Sequence, residues 1–308
     1  MPRLLLRAIL ALGLILFATR AANAQESDPL GRDRLTGTLK TVRDRGVLRL
    51  GHRENSFPFA FLTPKGRPAG YSLDLCGAVV EEVTAELGGR DIRIEYRTVT
   101  PENRFDFLAS GEIDLECGST TSNLERRRRV AFSPTIFVTG TKLLVRRDGG
   151  FRSLDDLRGK TIAVTRGTTN EAAVEALSAK RNLGIAFAKG GDHDESFRLF
   201  TSGAADAYAA DDVLLHAKIA ETRTGRRYRV VGDFLSYDPY ALMYRRDDPG
   251  FADVVERAFR RLAESREIVG IYGKWFLKPL PTGVRLGLPM SLQLEELFRA
   301  IGLPADGS

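Results

Sequence analysis

Residues 107–119 read FLASGEIDLECGS, and residues 199–211 read LFTSGAADAYAAD. Both carry S-G-x-x-D, as Ser110-Gly111-Glu112-Ile113-Asp114 and as Ser202-Gly203-Ala204-Ala205-Asp206. Each motif follows an apolar helix-like segment and opens a short strand-like run. A glycine there closes the helix, and the apolar run after it has the length of a buried strand. The likeness extends upstream. Residues 39–51 (LKTVRDRGVLRLG) and 154–167 (LDDLRGKTIAVTRG) each read as a short helix, a glycine and a strand. A helix then follows over 72–87 or 170–180, and a second strand over 92–98 or 184–188. Each half therefore reads β-α-β-α-β, which predicts an α/β protein with mostly parallel sheets flanked by helices.

The chain has 308 residues, enough for two modest domains, and its 43% hydrophobic and 28% charged content is ordinary for a globular protein. The first 24 residues differ from the rest. Arg3 and Arg7 precede an apolar run from Ala8 to Ala18, and Ala22-Asn23-Ala24 supplies a small-residue cleavage site. That is the layout of a secretory signal peptide, with cleavage expected after Ala24. The competing reading is a membrane anchor, but the run is shorter than the ~20 residues a span needs. A cleaved leader places the mature protein in the periplasm.

Without Arg3, Arg7 and Arg20 the formal charge falls from +6 to +3. Mild basicity suits small anions and lacks the clustered stripe of a nucleic-acid binder. The four arginines at 126–129 are expected on a helix, where they fan around the axis. Cys76 and Cys117 are left in an exported chain, either as two buried thiols or as one bridge. With only His52, His193 and His216, no zinc set is expected.

Ligands of open α/β sheets bind beyond the carboxyl ends of the strands. In the first half those ends carry Arg53, Arg104 and Ser119 to Thr121; in the second they carry Thr168 and Thr169, His193, and Asp211. Ser119 and Asp211 each stand five residues after the motif aspartate, so the repeat makes them equivalent. The stretch ECGSTTSNLERR (116–127) gathers small hydroxyls ahead of an arginine. A helix beginning at Ser122 or Asn123 would aim free amides at an anion, and Arg126 would add a guanidinium fork that matches a carboxylate. Read for structure alone, the same residues are an N-cap and a surface arginine. Asp211, unless it too is a cap, offers an anion for an ammonium. Together these describe a zwitterionic amino acid, with Arg126 and Thr121 on its carboxylate and Asp211 and Ser119 on its ammonium. Arg53, Arg104 and His193 then remain as potential cations without a partner, which is costly in a cleft. A second carboxylate on the ligand, or a protein carboxylate such as Glu54, would relieve them. The first option makes the ligand glutamate or aspartate.

The segments GHREN (51–55), GYSLDL (70–75), NR (103–104), ECGSTTSNLER (116–126), FSPTIFVTGTKLL (132–144), GTTNE (167–171), DHDESF (192–197), ADDVLL (210–215) and KWF (274–276) occur in order across the mature chain. With them the chain resembles the polar amino acid-binding proteins of bacterial ABC importers (solute-binding protein family 3), in particular the glutamate/aspartate-binding branch. The resemblance implies a two-lobed periplasmic-binding-protein fold that closes on its ligand, a membrane permease as partner, no cofactor, and a monomer. It implies that Ser119, Thr121 and Arg126 bind the ligand's main-chain groups and that Asp211 binds its ammonium. It further implies contacts from Thr168 and Thr169 in the second lobe, with Arg53, Arg104 and His193 on the side-chain carboxylate. Pro101 departs from the pattern, standing where relatives carry a ligand-contacting serine or aromatic. The lobes are expected at 25–140, 141–236 and, returning to the first, 237–308. The hinge crossings would be FVTGTKLLV (137–145) and SYDPYALMY (236–244), and a terminal amphipathic helix, SLQLEELFRAI (291–301), is capped by Ser291. A different glutamine- or asparagine-type ligand is the nearest alternative. A second is an enzyme on the same fold, similar to the cyclohexadienyl dehydratases, with the arginines, His193 and Glu54 as acid catalysts.

Overall fold

Two five-stranded sheets with the same layout carry the molecule. In the computed structural model, which describes residues 35–280 and 283–305, the first sheet runs Arg93–Thr98, Val47–His52, Leu115–Glu116, Met243–Arg245, Val130–Phe132. Its first three strands are parallel and its last two join antiparallel. The second sheet runs Ala186–Gly190, Thr161–Thr165, Ala207–Asp211, Thr141–Arg146, Tyr228–Val231, again two parallel pairings followed by two antiparallel ones. The expected leader at 1–24 lies outside the described residues; from Thr36 onward the chain forms one compact unit.

The repeated aspartate does the same work in both sheets. Asp114 accepts from the Arg49 amide at 2.9 Å while its own amide donates to the Arg49 carbonyl at 2.8 Å. Asp206 accepts from the Thr161 amide at 3.0 Å and donates to the Thr161 carbonyl at 2.8 Å. Each motif thus sews the start of the third strand to the first and fixes their register. Asp114 also holds Arg45 and Arg245, an ion cluster that Asp206 does not copy.

Helix Tyr71–Glu86 buries Tyr71, Leu75, Val79 and Val83, an i, i+4 stripe, with Tyr71 packed against the rings of Phe59, Tyr272 and Phe276. Helix Pro249–Glu264 starts at a proline behind the Asp248 cap and packs beside it, with Arg257 reaching Glu82 at 2.8 Å. Cys76 on the first of these helices is bonded to Cys117 at the end of Leu115–Glu116. The question left open by the sequence is thereby answered as a bridge. With the partners 41 positions apart, the bridge destabilises the unfolded chain by about 4 kcal/mol in the loop-closure account.

Both crossings are strands, as their sequences predict. Phe137–Thr139 pairs antiparallel with Asp238–Tyr240 between the two sheets. Gly140 follows the first, and a Cβ there would lie 2.2 Å from the Ser236 carbonyl oxygen, so only glycine lets the two crossings approach. The terminal helix is Leu292–Ala300, with the Ser291 hydroxyl accepting from the Leu294 amide.

Candidate functional site

The strand ends bring the polar groups to one place. Arg53 follows Val47–His52, Arg104 opens helix Arg104–Ser110, and Ser119 and Thr121 follow Leu115–Glu116. From the second sheet come Thr168 and Thr169 at the head of Thr169–Lys180, His193 at the head of His193–Thr201, and Asp211 at the end of Ala207–Asp211. These eight and Arg126 line a single pocket. Asn170, which the sequence reading missed, also lines it. Only its place directly after Thr168 and Thr169, one residue into the helix, could have pointed to it.

The expected helix at Ser122 or Asn123 is absent. Thr121 bridges to Tyr240, the Ser122 amide donates to the Pro239 carbonyl at 2.8 Å, and the Ala241 amide donates to the Thr120 carbonyl at 3.0 Å. These bonds hold 120–122 extended beside the second crossing, which no α-helix can accommodate. A single 3-10 turn, Arg126–Arg128, comes later, so the four arginines do not share a helix.

Arg126 donates to the Thr121 carbonyl at 3.1 Å and, across the cleft, to the Gly167 carbonyl at 3.3 Å. Its guanidinium lies 5.4 Å from the Phe105 ring centroid. Burial, then repulsion from Arg104, pushes it down to about 9, which leaves it a cation at neutral pH. Arg53 is only 2% exposed; burial and then Arg104 push it down to about 10. Its Nη2 has no hydrogen-bond partner, nor has Nε of Arg104. Thr169 Oγ1 stands 3.2 Å from Thr121 Oγ1, and Arg166 reaches Glu102 at 3.5 Å, so the two sheets meet across the pocket.

Asp211 sits at the N-cap position of helix Asp212–Thr222 yet makes no capping bond. Asp212 takes that work, accepting from the Val213 amide at 2.8 Å and from the Thr139 hydroxyl at 2.5 Å. The Asp211 carboxylate instead accepts from the Tyr240 hydroxyl at 2.5 Å, and its other oxygen has no partner. Burial, then the nearby Asp238 charge, raises it to about 7. Tyr240 and Asp238 belong to the second crossing, which the sequence reading took only as a hinge.

Two expectations change. His193 is not a cation. Its Nδ1 lies 3.1 Å from the Thr165 hydroxyl and 3.0 Å from that of Tyr208, and burial plus the charge of Arg53 holds the ring neutral, well below the usual histidine range. A neutral imidazole offers a hydrogen bond rather than a charge. Glu54 is not the counter-charge either, since it accepts from the Thr98 hydroxyl at 2.8 Å in an exposed setting. The carboxylate facing the arginines is Glu116, fully buried. Thr168 spends its hydroxyl on structure, donating to the Thr165 carbonyl at 2.7 Å and accepting from the Glu171 amide at 3.2 Å. Pro101 lines a larger adjoining cavity and not this pocket.

A pocket of buried cations and one carboxylate between two like sheets defines the two-lobed α/β fold of periplasmic amino acid-binding proteins. Residues 48–278 match the model of the bacterial extracellular solute-binding proteins, family 3, and the chain belongs to that family. It is 40% identical to an L-glutamate/L-aspartate-binding protein of Pseudomonas aeruginosa, over 94% of this chain and 96% of the relative. It is 35% identical to a glutamate/aspartate import solute-binding protein of Salmonella typhimurium, over 97% of each. Among solved structures it is similar to an ancestral amino acid-binding protein, a precursor of cyclohexadienyl dehydratase, with a TM-score of 0.67 and 27% identity over 78% of this chain and 99% of that one. Among the described residues no helix is long and apolar enough to cross a membrane.

Proposed function

We propose that the protein captures glutamate or aspartate between its lobes in the periplasm and delivers it to the permease of an ABC importer. Its leader would be cleaved after Ala24. The observation that carries this reading is the imbalance in the pocket. Arg53, Arg104 and Arg126 face one internal carboxylate pair, Glu116 and Asp211, and guanidinium nitrogens of the first two lack partners. A ligand with two carboxylates and one ammonium completes the set. Arg126 and Thr121 would take the α-carboxylate, Asp211 and Ser119 the ammonium, and Arg53, Arg104 and neutral His193 the second carboxylate. Thr169 and the helix end at Thr168 would close over it. The lobes would be 25–140 with 237–308, and 141–236. The names of the relatives support the ligand class, and their import role supports binding rather than catalysis.

Mature protein freed of carried-over ligand is expected to be stabilised by glutamate and aspartate far more than by glutamine, asparagine, lysine or arginine. At a hundred times its dissociation constant a ligand adds about 2.7 kcal/mol, readily seen by thermal shift. A response to arginine with none to glutamate would refute the reading. Prephenate and arogenate should emerge from incubation unchanged; an aromatic product would make the protein an enzyme.

Asp211 adds a pH test. With its acid near 7 in the empty pocket, about half is protonated at neutral pH. An ammonium favours the charged form, so binding should release a proton. Affinity should therefore rise about tenfold from pH 6 to pH 8 and then level off. Calorimetry at pH 6.5 in buffers of different ionisation enthalpy measures the proton directly; identical heats in all buffers would remove Asp211 from the ammonium site.

A further inference from the structure

Glu116 stands in the middle of the site without lining the pocket. It ends strand Leu115–Glu116, hemmed by Gly51 on one side and Met243 on the other, and is fully buried. Its Oε2 accepts from the Thr120 hydroxyl at 2.6 Å, and that same hydroxyl oxygen accepts from Arg104 Nη1 at 2.6 Å. Its Oε1 has no hydrogen-bond partner. Gly118 passes so close that a Cβ there would lie 2.3 Å from Oε1 and 3.1 Å from Arg53 Cγ. Glu116 is thus pressed behind Arg53 and tied through one hydroxyl to Arg104.

We infer that Glu116 is a positioning residue that sets the charge selectivity of the pocket: it aims Arg104 through Thr120 and cancels part of the arginines' charge from behind. The inference rests on the reading of Arg53 and Arg104 as holders of the ligand's second carboxylate. With Arg53, Arg104 and Arg126 positive, and Glu116 and ionised Asp211 negative, these groups sum to one positive charge. A monoanionic amino acid neutralises them, whereas a neutral one leaves a buried cation uncompensated. Glu116 therefore holds the excess to a single charge. The empty pocket can then exist without a bound anion, and the preference for acidic ligands is moderated.

The two parts of this role separate by mutation. Glu116→Gln keeps an oxygen to accept the Thr120 hydroxyl and removes the charge. The glutamate-to-glutamine affinity ratio, measured by competition against radiolabelled glutamate, should rise by about tenfold, while the ligand-free protein melts at a lower temperature. Thr120→Val keeps the charge and cuts the tie to Arg104, so the same ratio should fall by about tenfold. A merely structural role would weaken both ligands alike in both variants and leave the ratio where it was, which would overturn the inference. If Glu116→Gln does not fold, the ratio in Thr120→Val decides alone. A wild-type protein that fails to discriminate glutamate from glutamine would instead refute the underlying ligand reading. Discrimination in the wild type that neither variant shifts overturns only the role given to Glu116.

Discussion

Arg126→Ala is expected to abolish detectable binding of every amino acid ligand, because all of them carry an α-carboxylate. Breaking a buried charged pair by removing one partner costs about 3–5 kcal/mol, a few hundred-fold and upward in affinity. The structure adds a second reason for a large effect. Arg126 also bonds the Gly167 carbonyl on the opposite lobe, so the alanine variant loses a bond that ties the two lobes together. Arg126→Lys separates the two contributions. It keeps a charge for the carboxylate but cannot span Thr121 and Gly167 with one planar group, and should recover only part of the loss. Calorimetry with glutamate and with glutamine checks both variants. Unchanged affinity in Arg126→Ala would return this residue to the ordinary surface arginine that its sequence position also allows.

The fold was legible because the repeat is physical. Asp114 and Asp206 perform the same register-fixing bonds, and that requirement leaves S-G-x-x-D in both halves although little else around it is shared. Strand ends could then be found by counting, and the strand-end rule supplied Arg53, Arg104, His193 and Asp211 before any geometry was known. What could not be read was local conformation imposed from a distance. Residues 120–122 have the composition of a helix start, but the second crossing, more than a hundred residues away in sequence, pulls them straight. The same distance hid Tyr240, whose hydroxyl holds Asp211, and Asp238, whose charge adds to the effect of burial in raising it.

Charge states were less legible than positions. His193 stands where the sequence places it, yet burial, and then the charge of the arginines beside it, denies it a proton, and nothing in a one-dimensional pattern reports either. Glu116 was in plain view within ECGSTTSNLERR but reads as one residue of a short strand. A carboxylate at a fully buried strand end is costly unless cations surround it, so burial was the missing datum.

Arg53 and Arg104 should act on the ligand's second carboxylate alone, and this distinguishes an acidic pocket from a general amino acid site. In Arg53→Met or Arg104→Met the aliphatic stem is roughly kept while charge and fork are lost. Glutamate should then lose about 2–5 kcal/mol, the range for truncating one partner of a buried hydrogen-bonded charge pair. Glutamine, whose amide never makes the ionic contact, should lose much less, so the glutamate-over-glutamine preference should shrink in each variant. Because Arg53 Nη2 and Arg104 Nε are both unpartnered within the protein, either arginine left alone should preserve part of the preference. The two are not expected to be equal. Arg104 is anchored by the Thr120 hydroxyl, whereas Arg53 shows no comparable anchor and is held chiefly by packing against the Gly118 turn. In the double variant Glu116 becomes the nearest buried charge to that end of the pocket and repels an acidic side chain. Glutamine should then match or exceed glutamate, a reversal rather than a mere loss. Equal weakening of glutamate and glutamine in the single variants would assign these arginines to the main-chain end or to the lobe's structure. The acidic side-chain pocket would then be wrong even with the fold and family unchanged.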